Sequence, residues 1–260
     1  MSRYVALGSS MAAGPGIRPR APGAPFGSGR SARNYAHVVA QRLNLELADV
    51  TFSGATTAHV LAERQRGTPP QIDALDGSEE LVTATIGGND VGYIPLLMAA
   101  SLVSRARPAR LLPRIGALLD RDAREQALGQ VGDSLRAVGT QVRRRAPRAR
   151  VVFVDYLTML PPDGVPAAPL SPADTELGRY VAARLEEFTA AAAQAAGCDL
   201  VRAGEASRDH HAWSADPWTV GAALPLPWRP APFHPNAAGM RAVADLIVGA
   251  TGENPPGGHV

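Results

Sequence analysis

"VALGSSMAAGPG", residues 5–16, decides how the chain is read. An apolar run, Tyr4-Val5-Ala6-Leu7, ends at Gly8, and two serines, Met11, two alanines and Gly14 follow. A short apolar run bounded by glycine is the pattern of a buried strand that stops at a tight turn. The turn presents a small hydroxyl side chain. The question it sets is whether Ser10 is a nucleophile or a turn residue.

Working outward, the same pattern recurs. Residues 46–51 form a second short strand. "ELVTATI" (80–86) is β-rich and ends at Gly87-Gly88-Asn89-Asp90, a strong turn signal; "RVVFVDY" (150–156) and "CDLV" (198–201) complete the set. Helical periodicity fills the gaps. A helix over about 34–44, with Ser31 as its cap, carries Tyr35, Val38, Val39, Arg42 and Leu43 on one face. A long helix over about 122–145 carries Leu128, Val131, Leu135, Val138 and Val142, and another over 173–196 carries Leu177, Val181, Leu185 and Phe188. "SGATTAHVLAER" is a loop and a helix, the segments after Asp90 are helices broken by Pro108 and Pro113, and a final helix covers 236–250.

Residues 15–33 are a loop, 207–235 are irregular, and 160–172, with five prolines, form a loop or lid too stiff for large motion. Strands alternate with helices, and Asn-Gly hairpin signals are absent. That predicts an α/β fold, a central, mainly parallel five-stranded sheet with helices on both faces. No repeat or linker divides the chain, so residues 1–250 are read as one domain and 251–260 as a flexible tail.

Composition narrows the classes. The chain has 260 residues, 45% hydrophobic and 19% charged, with a net charge of +2. Such a chain buries a sizeable core without disulfides. Its single cysteine, Cys198, permits no internal disulfide and, among small residues, reads as a buried structural thiol. Arg143-Arg144-Arg145 lacks the interleaved aromatics of a single-stranded nucleic-acid surface and is the solvated end of a helix. No apolar run reaches the roughly 18 residues of a membrane span. With Met1 as the start and no signal peptide ahead of the first strand, the expected location is cytoplasmic; a chain trimmed of its leader would read the same and be secreted. No oligomeric state is specified.

In parallel sheets, ligands bind at the carboxyl ends of the strands. Four features fall there: Ser10, Gly54 in "TFSGATT", Asn89 in "IGGND" and His234 in "PAPFHPNAAGM". A serine needs a base to become nucleophilic, and imidazole is the usual one. The tetrahedral intermediate needs preorganised N–H donors. The Ser10 amide, the Gly54 amide and the Asn89 side chain supply three. The set is complete for acyl transfer without metal or organic cofactor.

At these residues the chain resembles the SGNH hydrolase superfamily, the GDSL-type esterases and lipases, its actinobacterial members in particular. "GSS" at 8–10, Gly54, "GGND" at 87–90 and "FHPN" at 233–236 match its four blocks in order. The resemblance implies a flavodoxin-like three-layer α/β/α sandwich and hydrolysis of carboxylic esters. It implies Ser10 as nucleophile, His234 as base, and an oxyanion hole of Ser10, Gly54 and Asn89. Two departures stand out. Ser9 replaces the aspartate usual in block one, a local structural partner. Ala231 replaces the aspartate usual three residues before the histidine. A carbonyl accepts readily from a histidine Nδ1–H, so the Ala231 carbonyl is the expected orienter, with Asp216 in "SADPW" as a remote alternative.

Competing readings attach to the remaining residues. Met11, Met159, Trp228 and Phe233 either line an acyl pocket or pack the core. His37 and His59 lie on polar helix faces and read as solvated. Asp209-His210-His211 lacks a second ligand group at metal-site spacing, and "GSGRS" at 27–31 lacks a P-loop lysine. The expectation is a serine hydrolase of small-molecule esters with short to medium acyl or aryl groups. An O-deacetylase or thioesterase with the same residues is one alternative. A catalytically silent binding protein is the other, raised by the missing carboxylate.

Overall fold

Strands β1 (Arg3–Gly8), β2 (Glu46–Asp49), β3 (Glu79–Thr85), β4 (Arg150–Val154) and β5 (Asp199–Val201) pair in the order β2-β1-β3-β4-β5, every pair parallel. This is the flavodoxin-like order of doubly wound sheets. The computed structural model describes residues 2–223, 226 and 229–252. Its α-helices are α1 (Ser10–Ala13), α2 (Tyr35–Leu43), α3 (Thr57–Leu61), α4 (Tyr93–Arg105), α5 (Pro113–Leu118), α6 (Arg121–Arg145), α7 (Pro172–Ala195), α8 (Ala203–Ala206) and α9 (Ala237–Gly252).

Alternation along the strands sorts the core into two layers, because successive side chains point to opposite faces. Tyr4 and Ala6 of β1 pack with Tyr35 and Val39 of α2 and with Met240, Val243 and Ile247 of α9. Val5 and Leu7 join the larger layer, which holds Leu135 and Val138 of α6 and Val181 and Leu185 of α7. The stripes of α6 and α7 read from the sequence therefore face the sheet, as do Tyr35 and Val39 of α2, while Arg42 of the expected α2 face is exposed.

Helix starts are set by side-chain caps. The Asp120 carboxylate accepts from the Ala123 N–H at 2.8 Å to open α6. Ser171 does the same for α7 through the Asp174 N–H, with Pro172 at its first position. For α2 the cap is Asn34, whose side chain accepts from the His37 N–H at 3.1 Å. The expected cap, Ser31, is turned inward, where its N–H donates to the Ala13 carbonyl at 2.8 Å. The final helix also runs further than expected, Thr251 and Gly252 forming its last turn, and residues 253–260 lie outside the described residues.

The proline-rich stretch after β4 is tied down. The Arg179 guanidinium donates to the carbonyls of Pro161, Pro162 and Val165 at 2.8, 2.9 and 3.1 Å. The Trp213 indole N–H holds the Ala168 carbonyl at 2.8 Å. This pinning agrees with the stiffness read from its prolines.

At the carboxyl end of the sheet, Gly8 has φ +147°, and a Cβ there would lie 2.6 Å from the Thr85 carbonyl oxygen. Only glycine lets β1 and β3 end this close together. Gly8→Ala is expected to lower stability by at least about 1–3 kcal/mol through backbone strain. Urea unfolding measures it, and a loss within about 0.5 kcal/mol, the range of an ordinary surface change, would contradict this account.

Candidate active site

Ser10 emerges where β1 ends. The Ser9 N–H donates to the Thr85 carbonyl at 2.9 Å, which fixes the turn against β3, and Ser10 opens α1. Its Oγ lies 2.8 Å from Nε2 of His234, across 224 residues of chain. On the far side of the ring, Nδ1 is 2.7 Å from the Pro232 carbonyl. A carbonyl only accepts, so Nδ1 carries the proton and Nε2 is left bare to accept from the Ser10 hydroxyl. Ring and hydroxyl are both nearly closed off from solvent, at 8% and 7% exposure. Burial pushes the imidazole below its ordinary pKa, and the hydrogen bond to Pro232 opposes this only in part.

The loop that carries His234 is clamped on both sides. The Phe233 N–H donates to the Val220 carbonyl at 2.8 Å, and the Val220 N–H donates back to the His234 carbonyl at 2.9 Å. The Asn236 side chain accepts from the N–H groups of Ala238 and Gly239 at 2.8 and 3.0 Å, opening α9. Between these clamps Phe233 is held at φ +56°, a left-handed conformation that costs a bulky residue energy. Its ring is fully buried, which secures the turn.

Gly54 and Asn89 come from the loops after β2 and β3. Gly54 is exposed, with φ +80°. The Asn89 side-chain amide donates to the Ala55 carbonyl at 2.8 Å, and Asp90 accepts from the Thr57 N–H and hydroxyl at 3.1 and 2.5 Å. These bonds lock the two loops together. One hydrogen of the Asn89 amide is committed to Ala55, and the second is left to give. The N–H groups of Ser10 and Gly54 have no acceptor among the described residues. A hydroxyl bonded to a bare imidazole nitrogen, with its own backbone N–H uncommitted, can carry acyl transfer.

Sequence reasoning missed Tyr156. Its phenol oxygen accepts from the Gly88 N–H at 2.9 Å and meets the Ser9 hydroxyl at 3.2 Å. It thus touches the neighbour of Ser10 and the neighbour of Asn89 at once. Burial holds the phenol up at about 12, so it keeps its proton. A Cβ on Gly88 would lie 2.3 Å from the Tyr156 ring, so glycine there makes room for it. The motif "GGND" signalled this close approach, but nothing in the sequence named its partner.

Several expectations are corrected. The carbonyl that meets Nδ1 of His234 belongs to Pro232, not Ala231. The left-handed turn at Phe233 folds the Pro232 carbonyl back on the ring, while the Ala231 N–H is bonded to the Pro15 carbonyl at 3.0 Å. Asp216 is elsewhere, with its carboxylate 3.3 Å from His210. Met11 and Phe233 are buried among the core residues of the larger layer, with 4% and 0% exposure. Met159 is buried too; it lines a cavity of about 310 Å³ with Tyr93, Tyr156, Leu160 and Leu185, whose walls do not include Ser10. Trp228 lies outside the described residues.

His37 and His59 are half-buried rather than solvated: His37 Nδ1 meets the Asn34 side chain at 3.0 Å, and His59 Nδ1 accepts from the Thr56 N–H at 3.1 Å. The His210 ring stacks on Trp218 with centroids 3.9 Å apart. Cys198 is half-buried, and burial pushes its thiol up.

Comparison with known proteins agrees on one family. The model of the GDSL-like lipase/acylhydrolase family matches residues 6–242. Lipase 2 of Streptomyces coelicolor is 32% identical over 263 residues, covering 96% of this chain and 85% of that protein. Among solved structures, phospholipase A1 from Streptomyces albidoflavus is similar at TM-score 0.80 and 25% identity, covering 95% of this chain and 98% of that one. An extracellular lipase from Streptomyces rimosus is similar at TM-score 0.80 and 25% identity, covering 96% and 100%.

The contacts of Tyr156 make it a positioning residue between the serine and asparagine loops. Tyr156→Phe leaves the Gly88 N–H unpaired and is expected to lower kcat on p-nitrophenyl acetate about tenfold while KM changes little. Steady-state kinetics beside a thermal melt tests this. A lower Tm with unchanged kcat would reduce the phenol to a packing role.

Proposed function

The chain belongs to the GDSL-like lipase/acylhydrolase family and is a carboxylic ester hydrolase, and from that premise we propose that it works through an acyl-enzyme on Ser10 with His234 as its base. The observation that carries this reading is the 2.8 Å contact between Ser10 Oγ and a His234 ring whose other nitrogen is bonded to the Pro232 carbonyl.

Nε2 takes the hydroxyl proton as Oγ attacks the ester carbonyl carbon. The charge that develops on the carbonyl oxygen is met by the Ser10 and Gly54 N–H groups and by the Asn89 amide. Collapse of this tetrahedral species breaks the bond to the alcohol, which leaves with the proton from Nε2. Water then enters, gives a proton to the same nitrogen as its oxygen bonds the acyl carbon, and the second tetrahedral species breaks the bond to Ser10 Oγ, which takes the proton back from Nε2 as the acid leaves. The Pro232 carbonyl fixes the tautomer throughout, in the position a carboxylate holds in a Ser-His-Asp triad. A neutral carbonyl stabilises imidazolium less than a carboxylate does, so this site is a dyad with a backbone orienter.

The substrates we assign are acyl esters, with soluble short- and medium-chain esters among them. Similar proteins named lipase and phospholipase A1 support extending the class to glycerolipids. No described helix is long and apolar enough to cross a membrane. The similar protein named an extracellular lipase supports the secreted alternative over the cytoplasmic one.

Ser10→Ala is expected to remove several orders of magnitude of turnover on p-nitrophenyl acetate while circular dichroism stays unchanged. Near-wild-type turnover in the folded variant would end the assignment and turn attention to Ser9. The pH dependence follows from the burial of His234. The base works only when neutral, so the rate falls as pH drops through its pKa. That pKa is below the ordinary value of about 6.5. The acid limb of kcat/KM is therefore expected below about pH 6.5, and a limb above it would place an anion beside the ring.

A further inference from the structure

Exposed apolar side chains gather at the end of α4 and in the segment that leads to α6. Of the large hydrophobic residues exposed among the described residues, Leu102, Leu111 and Leu112 fall here, at 47%, 85% and 56% exposure. Contiguous exposed apolar surface is uncommon on a soluble chain and marks a contact site. The stretch 101–119 also contains Arg105, Arg107, Arg110 and Arg114 and no acidic residue. Arg105, Arg110 and Arg114 are exposed. Arg110 reaches Asp174 at 3.2 Å, where its side chain is half exposed. Helix α5 buries none of its residues.

The placement of this stretch gives it meaning. Helix α4 departs directly after Asn89 and Asp90, and the chain returns to the same point. The Arg124 guanidinium donates to the Val91 carbonyl at 2.6 Å, and Leu118 lies against Gly92. On the other side, Arg105 reaches the Ala222 carbonyl at 3.5 Å, in the segment that leads to His234. The excursion is thus rooted on both walls of the rim that holds the Ser10 site.

We propose that the 101–119 excursion is a docking surface for an anionic lipid surface, with Leu102, Leu111 and Leu112 entering the acyl boundary and the arginines meeting the headgroups. Leucines interleaved with arginines, in a stretch without acidic residues, match that partner in both polarity and charge. A second copy of the chain fits less well, because a symmetric contact would bring the two sets of arginines together. The inference rests on the ester hydrolase reading for its purpose: it holds the rim of the site against a surface in which ester substrates are packed.

The test separates docking from chemistry. Binding is measured by flotation of the Ser10→Ala protein with vesicles of phosphatidylcholine alone and of phosphatidylcholine mixed with phosphatidylglycerol. Hydrolysis of soluble p-nitrophenyl acetate is measured on the protein with Ser10 intact. Binding to the mixed vesicles is expected, weakened by salt. The double variant Leu111→Glu, Leu112→Glu is expected to weaken it by about tenfold or more, with unchanged hydrolysis of the soluble ester. Arg114→Gln is expected to weaken binding to the mixed vesicles while leaving the weaker association with phosphatidylcholine as it was.

Absence of vesicle binding, or equal binding by the double variant, overturns the proposal. So does equal affinity for both vesicle types. A concentration-dependent dimer that the double variant abolishes assigns the surface to a second copy instead. Failure of soluble hydrolysis in the unaltered protein counts against the ester reading alone, since vesicle binding is scored without it.

Discussion

Two strands that stop together govern this structure. β1 and β3 are central neighbours, paired in register from Tyr4 with Leu81 to Gly8 with Thr85. At that last pair the missing Cβ of Gly8 and the bond from the Ser9 N–H to Thr85 bring the two chain ends to one level. Ser10 therefore leaves the sheet beside the loop that carries Asn89. Gln71 grips the same point, its side chain bonding both the N–H and the carbonyl of Gly8 at 2.7 and 3.0 Å. Remove the close approach at Gly8, and the hydroxyl and the asparagine amide lose their common reference.

Precision at the site comes from cross-links between loops rather than from the loops themselves. Asn89 and Asp90 bind the Gly54 loop, Tyr156 binds the serine turn to Gly88, and the 218–220 segment binds the histidine turn. Each link satisfies a backbone group that would otherwise be buried without a partner, so order and solvation are served by the same bonds. The electrostatic design follows from the same economy. With His234 buried and only a carbonyl behind it, the imidazole is held below its ordinary pKa. In the proposed mechanism the uncommitted donors meet charge that exists only during reaction.

Much of this was legible in the residues. The alternation of apolar runs with helical stripes gave the sheet and its two cover layers, because burial on both faces leaves a periodic trace in Leu128 to Val142 and Leu177 to Phe188. The family and its ester hydrolase activity were legible in the order of four short blocks. What was hidden depends on three-dimensional detail. The shift from Ala231 to Pro232 turns on one left-handed residue, Phe233, which no propensity predicts for a phenylalanine. Tyr156 acts across 147 residues, a distance at which local pattern says nothing. Met11 and Phe233 border Ser10 and His234 in sequence, yet are buried in the core, because proximity along the chain does not fix the direction of a side chain. Asn34 outcompeted Ser31 as a cap because Ser31 is drawn inward by Ala13.

The 224-residue separation of Ser10 and His234 also orders events in time. As the polypeptide leaves the ribosome, Ser10 emerges long before His234 and stays without this partner while the intervening chain is made. The histidine turn precedes α9, and α9 packs against α2 over a layer built on Tyr4 and Ala6. Formation of the Ser10–His234 contact thus coincides with closure of that layer by α9, and a chain made only as far as α7 carries the hydroxyl without the imidazole.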